Sequence, residues 1–290
     1  MSGKPEGVVT PGTAQNGAPS LPRRALGGAA LFVRLALPPL LVFCAFLGTW
    51  FLFSYVLLNR DQRFLLPPPQ DVVRVGFLNW TNLSEILSGL WSTAQVTIVG
   101  LVLAIAIGVG FAIFMDQARW IERSFYPYAV IIQAIPIIAI VPLIGFWFNF
   151  NFRSRVIVCV LVSLFPVITN TLFGLQSVDD GLRDLFRLHN AGRLALFWKL
   201  KLPNAMPAMF AGFRIAAATS VVGAIVGDFF FRQGAPGIGR LIDIYREELA
   251  TEQMFTATFF ASLLGLVIFW VVGLDGDLLI RSWHESTRGS

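Results

Sequence analysis

Ser92-Thr-Ala-Gln-Val-Thr-Ile-Val-Gly-Leu-Val-Leu-Ala-Ile-Ala-Ile-Gly-Val-Gly-Phe-Ala-Ile-Phe-Met115 is a run of 24 residues without Lys, Arg, Asp or Glu. As a helix it is about 36 Å long at 1.5 Å per residue, and the hydrocarbon core of a bilayer is about 30 Å thick. Five more apolar stretches flank it, at 29–58, 125–148, 154–175, 205–231 and 254–280. Backbone amides left unpaired in hydrocarbon are costly, so each stretch is expected to be helical. The whole composition agrees. Hydrophobic residues make up 56% of the 290 and charged residues only 13%, against about 25% charged in soluble domains, and mean hydropathy is +0.69. An ordinary soluble enzyme is excluded, and the expected fold is an all-α membrane protein with six transmembrane helices.

The charges read as topology signals. Net charge is +5, and the basic residues sit mainly in connections, so they argue for orientation and not for nucleic acid. With the N-terminus inside, fourteen Lys and Arg fall on the inner side and eight on the outer, which predicts both termini in the cytoplasm. Residues 1–28, rich in Gly, Pro, Ser and Ala, are expected to be a disordered cytoplasmic tail, and 281–290 a second tail. Arg23-Arg24 precedes too long an apolar stretch for a cleaved export signal. Residues 29–84 are then a first membrane helix and an outer loop with an interfacial helix near 70–90, and 85–280 the membrane core. Cys44 and Cys159 lie inside apolar runs and are expected to be buried small hydrophobes, with no metal site. Asn79-Trp80-Thr81 and Asn82-Leu83-Ser84 are glycosylation triplets to which no function is assigned.

Several spans are built for close packing or interruption. Gly100, Ala104 and Gly108 recur at four-residue intervals, as do Gly212, Ala216, Ser220, Ala224 and Asp228; small residues at this spacing let helix backbones approach. Pro136 and Pro142 lie in the 125–148 stretch and Pro166 in the next, and each is expected to kink its helix. Gln133 and Asn170, beside these prolines, are candidates for lining a polar route or for gluing helices together, and Ser220 joins them as a pathway candidate. Arg214 is expected to snorkel or bond a carbonyl near the inner edge, while remaining a candidate contact for an anionic solute. Asp228 and Arg232, four apart, are spaced so that they can pair. His189 and His284 both fall in inner segments, so no proton relay crosses the bilayer.

The connection 176–204 is far longer than the 2–8 residues or so usual between helices. Leu182, Leu185, Phe186 and Leu188 recur at helical spacing, and Asp179 and Asp180 suit a helix start. Asn190 and Gly192 interrupt, and a second short helix with Leu194, Phe197 and Trp198 on one face is expected to stop at Leu202-Pro203. An apolar patch rimmed by charge is a docking surface for a protein; an amphipathic hairpin lying on the membrane is the alternative.

These residues carry a resemblance. Asp184 to Asn190, nine further residues, then Leu200-Lys-Leu202-Pro203 resemble the EAA loop of ABC importer permeases, E-A-A-x3-G-x9-I-x-L-P. Asp184 stands at the Glu, Leu185 and Phe186 at the alanines, Asn190 at the Gly, Leu200 at the Ile, and Leu202-Pro203 match. Gln133-Ala-Ile-Pro136, Phe146-Trp147-Phe148, Phe165 to Asn170, Leu202 to Arg214 and Gly237-Ile-Gly239 are similar to the nitrate/sulfonate/taurine branch of that family. The resemblance spans about residues 85–275. It implies the transmembrane domain of a type I ABC importer in a bacterial inner membrane, moving a small polar solute of the nitrate, sulfonate, taurine or vitamin-precursor class. It implies that Asp184, Leu185, Phe186, Asn190, Leu200, Leu202 and Pro203 form the coupling element. The implied partners are a second permease copy or homologue, two ATP-binding subunits that hold ATP and Mg, an extracytoplasmic substrate-binding protein and the lipid bilayer.

The chain has no G-x4-G-K-[ST] phosphate loop, no Ser/His/Asp set and no H-E-x-x-H, so neither a catalytic residue nor a bound cofactor is expected in it. Two competing classes remain. A secondary transporter or channel would show a coupling-ion site or an inverted repeat; a non-transporting scaffold would need neither.

Overall fold

A computed structural model describes residues 24–280. Most of residues 1–28 and all of 281–290, expected to be tails, lie outside the described residues; Arg24 to Gly28, by contrast, already belong to a helix. The chain divides at Leu52 into two units. In the first, α1 (Arg24–Leu52) runs through Pro38-Pro39 and Cys44 is exposed on it, not buried as expected. Lipid suits a thiol as well as a core does, because the bilayer is itself apolar. The second unit begins with a π-helical turn, Phe53–Leu57.

A short helix, α2 (Pro69–Val72), follows in this unit and runs on as a π-turn to Phe77. The long α3 (Trp80–Asp116) follows. Asn79 caps it by accepting from the Thr81 amide at 3.1 Å, and Asn82 donates to the Val75 carbonyl at 2.9 Å. Both triplet asparagines therefore have local structural work.

α3, α6 (Phe152–Gln176) and α9 (Leu202–Phe230) form the core of this unit. The small residues explain the close fit. A Cβ at Gly100 would collide with the Cys159 side chain, and one at Gly223 would lie 2.9 Å from the Cys159 Cα. Cys159 is thus the buried small hydrophobe it was expected to be. Leu101, Val167, Ala216, Ala217, Val221 and Ile268 make one buried cluster, which brings α11 (Thr251–Ile280) against α9. At one end, α10 (Ile238–Glu247) closes a second cluster of Ile86, Ile238, Leu241 and Tyr245.

Two expectations are revised. The stretch 125–148, expected to kink, is broken into two helices, α4 (Arg119–Ala134) and α5 (Ile137–Phe148), meeting at 97°. Proline forces its predecessor out of the helical region; Ile135 is extended (ψ 126°) and Pro136 is the N-cap residue of α5. Pro142, expected to kink too, sits inside α5. Secondly, Leu202-Pro203 does not stop the helix before it. α7 (Asp180–Leu188) and the four-residue α8 (Arg193–Leu196) are followed by a π-turn, Phe197–Lys201, that runs straight into α9. The Leu202 amide bonds the Phe197 carbonyl, five residues back, so the ladder widens just where Pro203 has no N–H to offer. Five described helices are long and apolar enough to cross a membrane, six if the bent pair counts as one.

Candidate functional site

The connection from 177 to 201 is an arm fixed at its base and open on its surface. Asp179 caps α7 by accepting from the Leu182 amide at 3.2 Å. Arg183 donates to the Gln176 carbonyl at 3.0 Å, and Asn204 to the Ser177 hydroxyl at 3.0 Å. Lys201 meets Asp116, at the end of α3, at 2.7 Å, with both side chains largely buried. Leu202, on the α9 side of the base, packs with Leu175, Ala205 and Met209. Away from this base, Leu182, Leu185, Leu188, Leu194 and Trp198 are exposed, Leu188 at 80%. Among the described residues Asp184 pairs with Arg187, at 3.1 Å on the surface. Asn190 takes the left-handed conformation (φ 52°), the geometry for which Asn ranks next after Gly. The structure therefore puts Asp184, Leu185 and Asn190 on the open part of the arm and half-buries Phe186, Leu200, Leu202 and Pro203.

The four pathway candidates separate. Gln133 is exposed at the α4–α5 bend and lines a cavity of about 560 Å³. Asn170 is half-buried; its amide donates to the Pro166 carbonyl one turn back on the same helix at 2.9 Å, and Gly212 of α9 packs on it. Ser220 is fully buried within the subunit and donates to the Ala217 carbonyl at 2.7 Å. Arg214 donates to the Gly273 carbonyl at 2.7 Å and so ties α9 to α11.

Asp228 does not pair with Arg232. Its partner is Arg155, at 3.3 Å, with both side chains buried, and Arg232 lies instead near Glu247 at 3.9 Å. Thr93 donates to Asp228 at 2.5 Å while accepting from the Ile238 amide at 2.8 Å. Arg155 also donates to the Gln233 and Ala235 carbonyls, each at 3.1 Å. A Cβ at Gly237 would overlap the Asp228 carboxylate, so glycine is needed there. This network clamps α3, α6 and α9 to the 231–237 loop. Its signal in the sequence was two opposite charges inside apolar runs, where buried charges are expected to be paired. Arg155 counts among the outer-side charges at the start of the 154–175 stretch, and nothing local points it to Asp228.

The family described as "Binding-protein-dependent transport system inner membrane component" matches residues 100–282. The formylaminopyrimidine transport permease protein ThiX of Halalkalibacterium halodurans is 32% identical over 253 residues, covering 86% of this chain and 97% of that one. The riboflavin transport system permease protein RibX of Chloroflexus aurantiacus is 34% identical over 168 residues, or 58% of this chain and 62% of that one. Permeases named for aliphatic sulfonates and for nitrate are also among the relatives. The fold matches that of the MetNI methionine ABC transporter in inward-facing conformations, with a TM-score of 0.59 at 17% identity over 70% of this chain and 98% of that one. The relatives are permease subunits, and this multi-pass membrane protein, with its core of α3, α6 and α9 and its projecting arm, belongs to the binding-protein-dependent transport system inner membrane component family.

Proposed function

We propose that this chain is the membrane subunit of an ATP-driven importer in a bacterial inner membrane, and that the 177–201 arm is the handle by which a separate ATPase moves it. The observation that carries this reading is the arm's construction. An exposed row of Leu182, Leu185 and Leu188 stands on a base held by Lys201–Asp116, Arg183–Gln176 and Asn204–Ser177. An apolar face that is rigidly mounted and ringed by charge suits a protein groove better than lipid. The excess of Lys and Arg on this side supports a cytoplasmic position for this end and for both termini. Two copies, or one copy and a homologue, enclose the route, and an extracytoplasmic binding protein delivers solute at the opposite end. ATP, held by the partner, acts by stabilising one of two states of the bundle.

The relatives named for formylaminopyrimidine and riboflavin stand beside those named for sulfonates and nitrate, so family membership leaves the solute to local chemistry. The test is Leu185→Asp, with Asp184→Arg as a second variant, in the chain co-expressed with its ATPase and binding protein. Normal membrane insertion with loss of ATPase co-purification and of uptake is expected. Retention of both the ATPase and uptake in the two variants would refute the handle.

A further inference from the structure

The bend between α4 and α5 opens a cavity of about 560 Å³, inside the range of about 300–1,000 Å³ typical of small-molecule sites. α6 contributes Leu161, Val162 and Pro166 and α9 contributes Ile215 and Thr219, all from the middle of their helices. A discontinuous helix beside a mid-depth cavity is the arrangement with which transporters hold solutes, because interrupted backbone is tolerated there and not against lipid.

The walls are aliphatic and no charged side chain lines them; Gln133 and Thr219 are the polar lining side chains. The cations buried or half-buried in the neighbouring helices α6 and α9 bond elsewhere, buried Arg155 to Asp228 and the 233 and 235 carbonyls, and half-buried Arg214 to Gly273. An anion entering the cavity would lose its water without gaining a counter-charge, which is strongly unfavourable. The Thr219 hydroxyl spends its proton on the Ile215 and Ala216 carbonyls and is left as an acceptor. Among the described residues nothing hydrogen-bonds the Gln133 carboxamide. It presents a donor and an acceptor side by side, the complement of an amide or amidine edge on a heterocycle, as when Gln reads adenine.

We infer that this cavity is the subunit's solute-selecting station, that it takes an uncharged heterocycle with adjacent hydrogen-bond donor and acceptor, and that Gln133 is the residue that selects it. The inference rests on the importer reading and adds the substrate class.

The test reads the cavity directly. In the full chain with Cys44→Ser, which removes the exposed thiol, Thr219→Cys places a thiol on the cavity wall for labelling by N-ethylmaleimide. Cytosine and riboflavin are the neutral probes; nitrate and methanesulfonate are the anionic ones. Protection by the neutral probes and not by the anions is expected. Gln133→Met, close in volume, is expected to raise the half-protecting concentration about tenfold, the equivalent of one good hydrogen bond. Equal or better protection by the anions, no protection by either neutral probe, or unchanged protection in Gln133→Met would each overturn the inference. Labelling needs no ATPase, so an importer that retains its ATPase while its cavity ignores heterocycles refutes this inference alone. A chain that never associates with an ATPase refutes the importer reading and leaves the protection result to stand by itself.

Discussion

Arg155 and Asp228 show what a charge inside a span requires. Neither side chain is exposed to more than 3%, and each removes the cost of burying the other. Truncating one leaves the other uncompensated, so Arg155→Met or Asp228→Leu is expected to cost about 3–5 kcal/mol, and the double variant less than the sum of the two; thermal unfolding of the detergent-solubilised protein measures both. Asn190 makes a smaller demand. Its left-handed backbone predicts a loss of about 1–2 kcal/mol for Asn190→Ala and none for Asn190→Gly. Tyr245 supplies a pH test. Burial first, and then the Glu85 carboxylate that accepts its hydroxyl proton at 3.0 Å, hold the phenol above its ordinary value. The neutral form is favoured in the folded state, so this contribution is complete below about pH 10 and is lost as pH climbs through the raised value. Tyr245→Phe is expected to flatten the alkaline limb of the stability curve.

At the scale of elements, proline placement decides where a helix breaks and where it merely widens. Pro136 sits between α4 and α5 with an extended residue before it, and the chain turns through 97°. Pro203 sits one residue into α9 behind a π-turn, and the helix passes through. Both prolines were visible in the sequence, and their opposite outcomes were not. The difference lies in the ladder preceding each proline, which a residue count does not reveal. Pro136→Ala restores an N–H and frees Ile135 to become helical. The expected result is a straighter α4–α5 segment, a reduced cavity and loss of uptake at normal insertion, checked by the Thr219→Cys labelling rate.

Within the second unit, the arm and the core are joined by few polar contacts, and among the arm's own ion pairs in the described residues Lys201–Asp116 is the most buried. Lys201→Glu is expected to cost about 1.5–3 kcal/mol and to leave an ATPase that hydrolyses without driving uptake. Asp116→Lys combined with Lys201→Glu is expected to restore part of both, and the ratio of ATP hydrolysed to solute moved is the measurement. At the opposite end the Arg155 network holds the 231–237 loop and the start of α10 in the same way. The two ends of one bundle are thus each pinned by a buried ionic contact, and small-residue packing between α3, α6 and α9 lies between them.

Membrane class, the positions of most spans, the small-residue stripes and the helical character of the 177–201 arm with its break near Asn190 were all determined by the sequence. Each depends on neighbours within a turn or two, or on the apolar content of one segment. The pairings were decided only in three dimensions. Thr93 and Asp228 are 135 residues apart and Lys201 and Asp116 are 85 apart, and no local rule reaches that far. Which faces meet depends on the rotation and depth of each helix, set by how Gly100, Gly223 and their neighbours let the backbones close. That same docking left Arg214 bonded to Gly273, buried Ser220, and turned Gln133 alone of the four pathway candidates toward open space.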